Sequence, residues 1–199
     1  MQGPSGTGPA PSLPLRIPTS ARAFAYNYLL LLHAESDSVR SGRSGKAVAG
    51  RGDAMILDTI AIQKYLPHRH PFLMVDSIIE VEKLKRITGI KAVTCNEWYF
   101  QGHFPGRPVM PGVLIIEAMA QTGGLLLLME IPERDKKLLY FVAVDGARFR
   151  RPVVPGDLLR LEMKVVNWRG DFCKLDGKAF VGDQLAAEAV LMCKMVDRE

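Results

Sequence analysis

The sequence predicts an α+β domain, and two observations carry that expectation. One segment, VLIIEAMAQTGGLLLLME (113–130), is apolar on nearly every face and rich in helix formers. Four β-rich stretches follow it, separated by turn residues. A lone buried helix followed by antiparallel strands packs best with the sheet curled around the helix.

The order of elements follows from periodicity. ILDTIAIQKYL (56–66) has helical spacing, and Asp58 or Thr59 is placed to cap it. PHRHPF (67–72) is a loop bounded by prolines. LMVDSIIEVEKLK (73–85) and RITGIKAVT (86–94) carry the Val, Ile and Thr of strands. The segment 96–112 holds three prolines and three glycines and is expected to be a long irregular loop. The apolar helix begins at Gly112 and would span about 28 Å. Gly123 and Gly124 inside it imply either close packing or a local break. Residues 138–150, 157–170, 171–183 and 184–196 read as four strands, with WRGDF and VGDQL as turns between them.

Residues 1–54 differ in composition, being rich in Gly, Pro, Ser, Ala and Arg. Such a stretch has too little apolar surface to offset its ordering entropy. Three readings stay open: a disordered tail, a transit-like targeting peptide, or an upstream extension with Met55 as the true start. The folded body is expected over 55–199. Its working place is expected to be the cytoplasm, or an organelle if residues 1–54 are a transit peptide.

Charge excludes some function classes. The chain carries 26 Lys and Arg against 21 Asp and Glu, and the first 54 residues hold six of the former and three of the latter. The body is therefore close to neutral, without the concentrated basic face of a nucleic-acid binder. No apolar run reaches the roughly 18 to 20 residues of a membrane span. The three cysteines show no C-x-x-C spacing, which suggests free thiols in a reducing compartment.

Glu117 is the only charged residue between Gly112 and Met129. A carboxylate in an apolar interior must reach water, find a donor or take up a proton. His103 sits in QGHFPGRPVMPG, where glycine and proline fix the loop geometry. That loop runs into the helix N-terminus, with its free N–H groups and partial positive charge. A base beside such donors suits proton removal next to a thioester carbonyl, and a protonated carboxyl can assist loss of a β-hydroxyl.

GHFPGRPVMPGVLIIEAMAQ (102–121) closely resembles the 3-hydroxyacyl-[acyl-carrier-protein] dehydratases of the FabZ type. LPHRHPFLMVD (66–76) and FRRPVVPGD (149–157) strengthen the likeness, which covers about residues 55–196. The resemblance implies a hot-dog fold and dimers whose sheets join edge to edge, assembled as trimers of dimers. It implies His103 and Glu117 as catalytic residues, with the glutamate reaching in from the partner subunit. Gly112 would offer its N–H to the thioester carbonyl, and Phe104, Val113 and Gln121 would line the substrate. The reaction implied is dehydration of a (3R)-hydroxyacyl group on acyl carrier protein to the trans-2-enoyl product, with no metal or other cofactor. Related dehydratase-isomerases carry Asp at the acid position, so Glu117 favours simple dehydration.

The family commonly has an aromatic where His70 stands. His68 and His70 form an H-x-H pair, but no carboxylate or cysteine lies close in sequence to complete a metal site. Arg148, Arg150 and Arg151 form the densest basic cluster of the body and are expected to dock the acidic carrier protein. The alternatives are a hot-dog thioesterase or CoA-linked hydratase, and a non-catalytic lipid-binding or scaffold protein.

Overall fold

The computed structural model describes residues 55–198. The expectations for residues 1–54 lie outside them. Asp58 caps a short helix α1 (Thr59–Ile62), its carboxylate accepting the Ala61 N–H at 2.7 Å. Strands β1 (Ser77–Glu82) and β2 (Arg86–Ala92) follow. A single 3-10 turn (Trp98–Gln101) interrupts the long loop, and helix α2 runs from Gly112 to Leu128. The chain then forms β3 (Lys137–Phe149), β4 (Leu158–Arg169), β5 (Phe172–Val181) and β6 (Gln184–Asp197).

All pairings are antiparallel, in the order β1-β2-β4-β5-β6-β3. α2 packs against β2, β4, β5 and β6, which is the hot-dog arrangement of a sheet wrapped around one helix. Alternate residues of β4 and β5 point inward, as Leu159, Leu161, Met163, Cys173, Leu175 and Ala179 show. Thirteen of the seventeen α2 residues are buried. Burial on nearly every side explains why the segment lacks a polar face.

Close packing accounts for the paired glycines, and the helix does not break there. A Cβ on Gly123 would lie 2.6 Å from Leu175 Cδ1 of β5, and one on Gly124 would lie 3.2 Å from Leu139 Cδ1 of β3. The helix therefore sits close enough to the sheet to exclude a methyl group at Gly123.

Two elements are shorter than their sequence patterns predict. Helix geometry over 56–66 is confined to Thr59–Ile62, because Ile56 and Leu57 turn their backbone to Ile78 of β1. The first strand begins at Ser77, because Met74 gives its N–H to the side chain of Gln121. The four later strands match their expected ranges within about two residues.

β3 closes one edge of the sheet and is its least buried strand. Tyr140, Phe141, Val142 and Val144 are all exposed along it. Apolar side chains on both faces of an open edge strand mark a surface suited to pairing. No described helix is long and apolar enough to cross a membrane.

Candidate active site

The loop before α2 is built to hold His103 still. Phe104-Pro105-Gly106-Arg107 forms a tight turn, with the Arg107 N–H donating to Phe104 O at 3.0 Å. Proline presets the second position, and Gly106 takes the positive φ of 74° that the third requires. Tyr99 O accepts the His103 N–H at 2.9 Å, and His103 O accepts the Val109 N–H at 3.0 Å. The ring is pinned as well, with Nδ1 lying 2.7 Å from Val109 O. A carbonyl only accepts, so Nδ1 carries the proton and Nε2 keeps its lone pair. Nε2 makes no hydrogen bond among the described residues.

Next to this imidazole, α2 begins without a side-chain cap, Pro111 being its N-cap residue. Pro111 O accepts the Leu114 and Ile115 N–H groups. The Gly112 and Val113 N–H groups have no acceptor among the described residues. They are the donors expected at a helix start, backed by its partial positive charge. A Cβ on Gly112 would lie 2.7 Å from the Phe149 ring, so a larger residue here would have to displace that ring. His103, Gly112, Val113, Phe149, Arg150 and Arg151 are among the residues lining one cavity of about 540 Å³. The ring of Phe104 stacks on that of His103 at 4.0 Å and is itself exposed.

Glu117 opens into a different cavity of about 490 Å³. Its walls come from α2, from the Leu66–Phe72 loop and from β3 and β6. Along α2 the lining residues are Glu117, Ala120, Gln121, Gly124 and Leu128, one stripe of the helix. Leu114, Ile115 and Met119 do not line this cavity and belong to the main core.

Gln121 organises this second cavity. Its Nε2 donates to Glu117 Oε1 at 2.8 Å and to Phe72 O at 2.8 Å, while its Oε1 accepts the Met74 N–H at 2.7 Å. Both amide N–H groups are thus engaged by protein. His68 was visible in sequence only as half of an H-x-H pair. The structure separates the pair: His70 is exposed, and His68 turns into the cavity with Nε2 3.7 Å from Glu117 Oε1. Lys137 at the same wall is paired with Asp197 at 2.6 Å. The thiol of Cys193, also in the lining, is pushed up to about 11 by burial and then by the nearby Glu117.

A single chain therefore holds His103 and the unbonded helix-start N–H groups in one cavity and the Glu117 carboxyl in another. Of the arginine cluster, Arg150 pairs with Glu188, and Arg151 pairs with Asp157 at 3.2 Å. Arg148 has no ion-pair partner among the described residues.

A family model described as a FabA-like domain matches residues 66–190. The 3-hydroxyacyl-[acyl-carrier-protein] dehydratase FabZ of Koribacter versatilis is 58% identical over 143 residues, covering 72% of this chain and 92% of that protein. The dehydratase of the same name from Solibacter usitatus is 55% identical over 144 residues, covering 72% of this chain and 88% of its own. Among solved structures, the dehydratase heterocomplex ApeI:P from Xenorhabdus doucetiae superposes with a TM-score of 0.61 at 19% identity. That match covers 69% of this chain and 91% of that one, and it speaks for the fold alone. With identities this high over nearly the whole length of its relatives, the chain belongs to the FabZ-type 3-hydroxyacyl-[acyl-carrier-protein] dehydratases, hydro-lyases of fatty-acid synthesis.

Proposed function

We propose that this chain dehydrates (3R)-hydroxyacyl-[acyl-carrier-protein] to the trans-2-enoyl thioester by acid–base catalysis between His103 and Glu117, without a metal. The observation that carries this reading is the free Nε2 of His103 beside the two unbonded N–H groups of Gly112 and Val113. His103 Nε2 takes a proton from C2. The thioester oxygen gains charge and is held by the helix-start N–H groups. The C3–O bond breaks, and the departing hydroxide takes the proton of Glu117 to leave as water. Exchange with solvent then returns the proton from His103 and reprotonates Glu117. Phe104 and Val113 border the substrate, and Gln121 contributes by holding Glu117.

Glu117 acts on the substrate held by His103 of a second copy. Two features support this: the separate cavities within one chain, and the exposed apolar edge of β3, whose Leu138–Phe141 stretch also lines the Glu117 cavity. A homodimer joined along β3, and a trimer of such dimers, is the assembly proposed. The acidic carrier protein docks near Arg148, Arg150 and Arg151, with Arg148 as the uncommitted charge and the other two at the mouth of the His103 cavity.

Turnover of a 3-hydroxyacyl carrier-protein substrate by His103→Ala and Glu117→Ala tests the chemistry. Each should lose most activity, with non-additive losses in the double variant. Co-refolding the two single variants tests the shared site. Random pairing should restore about a quarter of wild-type activity, since half the dimers would then contain one intact site. Near-normal turnover in either variant alone refutes its role, and no restoration in the mixture refutes the shared site. Release of free thiol from the substrate would favour the thioesterase alternative.

A further inference from the structure

We propose that His68 is the positioning residue for Glu117, its imidazole aiming a hydrogen-bond donor at the same carboxyl oxygen that Gln121 holds. The inference rests on the proposed role of Glu117 as the acid, and it assigns to the Leu66–Phe72 loop a task that its sequence does not announce. Four observations carry it. His68 and Glu117 line one cavity. Nε2 faces Oε1 at 3.7 Å, with the two side chains about one-third and one-sixth exposed. His68 Nδ1 is buried and makes no hydrogen bond. The ring rests against Phe72 with centroids 6.0 Å apart, which fixes its face.

These facts decide the protonation pattern. Burial holds the imidazole below its ordinary value, outweighing the pull of Glu117, and Arg69 adds to the lowering. His68 is therefore neutral at pH 7 and carries one N–H. An N–H left orphaned in the interior is rarer than an orphaned acceptor. The proton accordingly sits on Nε2, the nitrogen that faces Glu117, and the buried Nδ1 keeps the unmatched lone pair. The ring does not form a proton relay here, because Nδ1 is buried and has no hydrogen-bond partner among the described residues. What remains is stabilisation of charge. When Glu117 gives its proton to the departing hydroxide it becomes a carboxylate, and the His68 Nε2–H joins the Gln121 Nε2–H in holding it. The 3.7 Å separation exceeds a hydrogen bond, so for this bond to form the ring has to close on the carboxyl when substrate fills the site. Other groups do not substitute for it. Lys137 is committed to Asp197, and the Arg69 guanidinium is turned away onto the carbonyls of Leu66, His68 and Gln63.

The test is kinetic, on the full-length protein with a carrier-bound 3-hydroxyacyl substrate. His68→Phe keeps an aromatic ring against Phe72 and removes the donor. It should lower kcat about tenfold, the scale of one hydrogen bond to a charged group, and leave KM within about twofold. His68→Gln, which restores an N–H donor on a neutral side chain, should recover part of that loss. In a Glu117→Ala background His68→Phe should add nothing, because the two act as a unit. An unchanged kcat in His68→Phe overturns the proposal, as does a loss seen only in KM. A further fall on top of Glu117→Ala also overturns it, since His68 would then act on something else. If Glu117→Ala itself turns over normally, the acid assignment fails and takes this proposal with it. Inactive Glu117→Ala alongside normal His68→Phe sinks the His68 inference alone.

Discussion

Replacing Gln121 with Leu tests whether one buried amide ties the Glu117 carboxyl to the backbone of Phe72 and Met74. Gln121 is only 2% exposed and makes three hydrogen bonds, to Met74 N, Phe72 O and Glu117 Oε1. Leucine fills a similar volume and offers none of them. The Met74 N–H, inside the core, is left without an acceptor, at about 1–3 kcal/mol. The Phe72 carbonyl loses a part-buried donor, which adds a smaller cost because Phe72 lies partly exposed. Glu117 loses a donor to its carboxyl, worth about 1.5–3 kcal/mol when water cannot substitute and less in this part-open cavity. The added apolar burial offsets about 1 kcal/mol. The net is a destabilisation of about 2–3 kcal/mol, or roughly 4–12 °C in Tm for a chain of this size. Thermal unfolding at one fixed protein concentration measures it, since oligomerisation makes Tm concentration-dependent. Gln121→Glu provides the control: it keeps an acceptor for Met74 N–H but sets a second carboxyl against Glu117. If Gln121→Leu melts within about 1 °C of wild type, the amide is not the clamp described and its hydrogen bonds are replaceable by water.

Three further outcomes follow from separate parts of the fold. Leu84 turns the β1–β2 hairpin at φ 58° with its side chain exposed, so Leu84→Gly should raise stability by about 1 kcal/mol in urea unfolding. Lys91 is 5% exposed, donates to Glu97 at 2.6 Å and to Ala92 O at 3.0 Å, and ties β2 to the turn whose Tyr99 carbonyl holds the His103 N–H. Lys91→Met leaves Glu97 without its cation and should cost about 3 kcal/mol, with kcat falling more than KM rises. Among the three thiols, Cys95 is exposed while burial pushes Cys173 up to about 12 and Cys193 up to about 11. Only thiolate reacts, so native protein at pH 8 should take up iodoacetamide at Cys95 first, as peptide mass spectrometry would show.

Much of the fold was legible because local chemistry and tertiary packing agree. The apolar run starting at Gly112 is a helix because its residues favour one and every side of it finds a partner. β4 and β5 alternate in the sequence as they do in the structure, and their turns carry the residues that turns demand. The errors sit where a long-range bond beats a local pattern. Ile56 and Leu57 have helical spacing but pair with Ile78, and Met74 has strand character but gives its N–H to Gln121. The His103 loop could be read because glycine and proline write its geometry into adjacent positions. His68 could not, because its meaning depends on a residue in another element that only folding brings near. The arginine cluster shows the same limit: its charge was countable, but the engagement of Arg150 and Arg151 by Glu188 and Asp157 was not.

The position of the Glu117 cavity explains why, on the proposed reading, assembly and catalysis cannot be separated in this chain. The stretch Leu138–Phe141 of β3 forms one wall of that cavity, and the same strand is the open edge of the sheet. Covering the edge with the β3 of a second copy would satisfy the unpaired backbone groups of both strands and bury Tyr140, Phe141, Val142 and Val144. It would also dry the wall facing the acid, and a drier site strengthens every electrostatic contact within it. An isolated chain gains neither effect: Glu117 faces one cavity, and His103 lies in another. On that proposed assembly, the apolar edge that would be an aggregation hazard in a lone protein would be the surface that completes the site. Selection for turnover would keep that edge hydrophobic even though a charged strand would be more soluble.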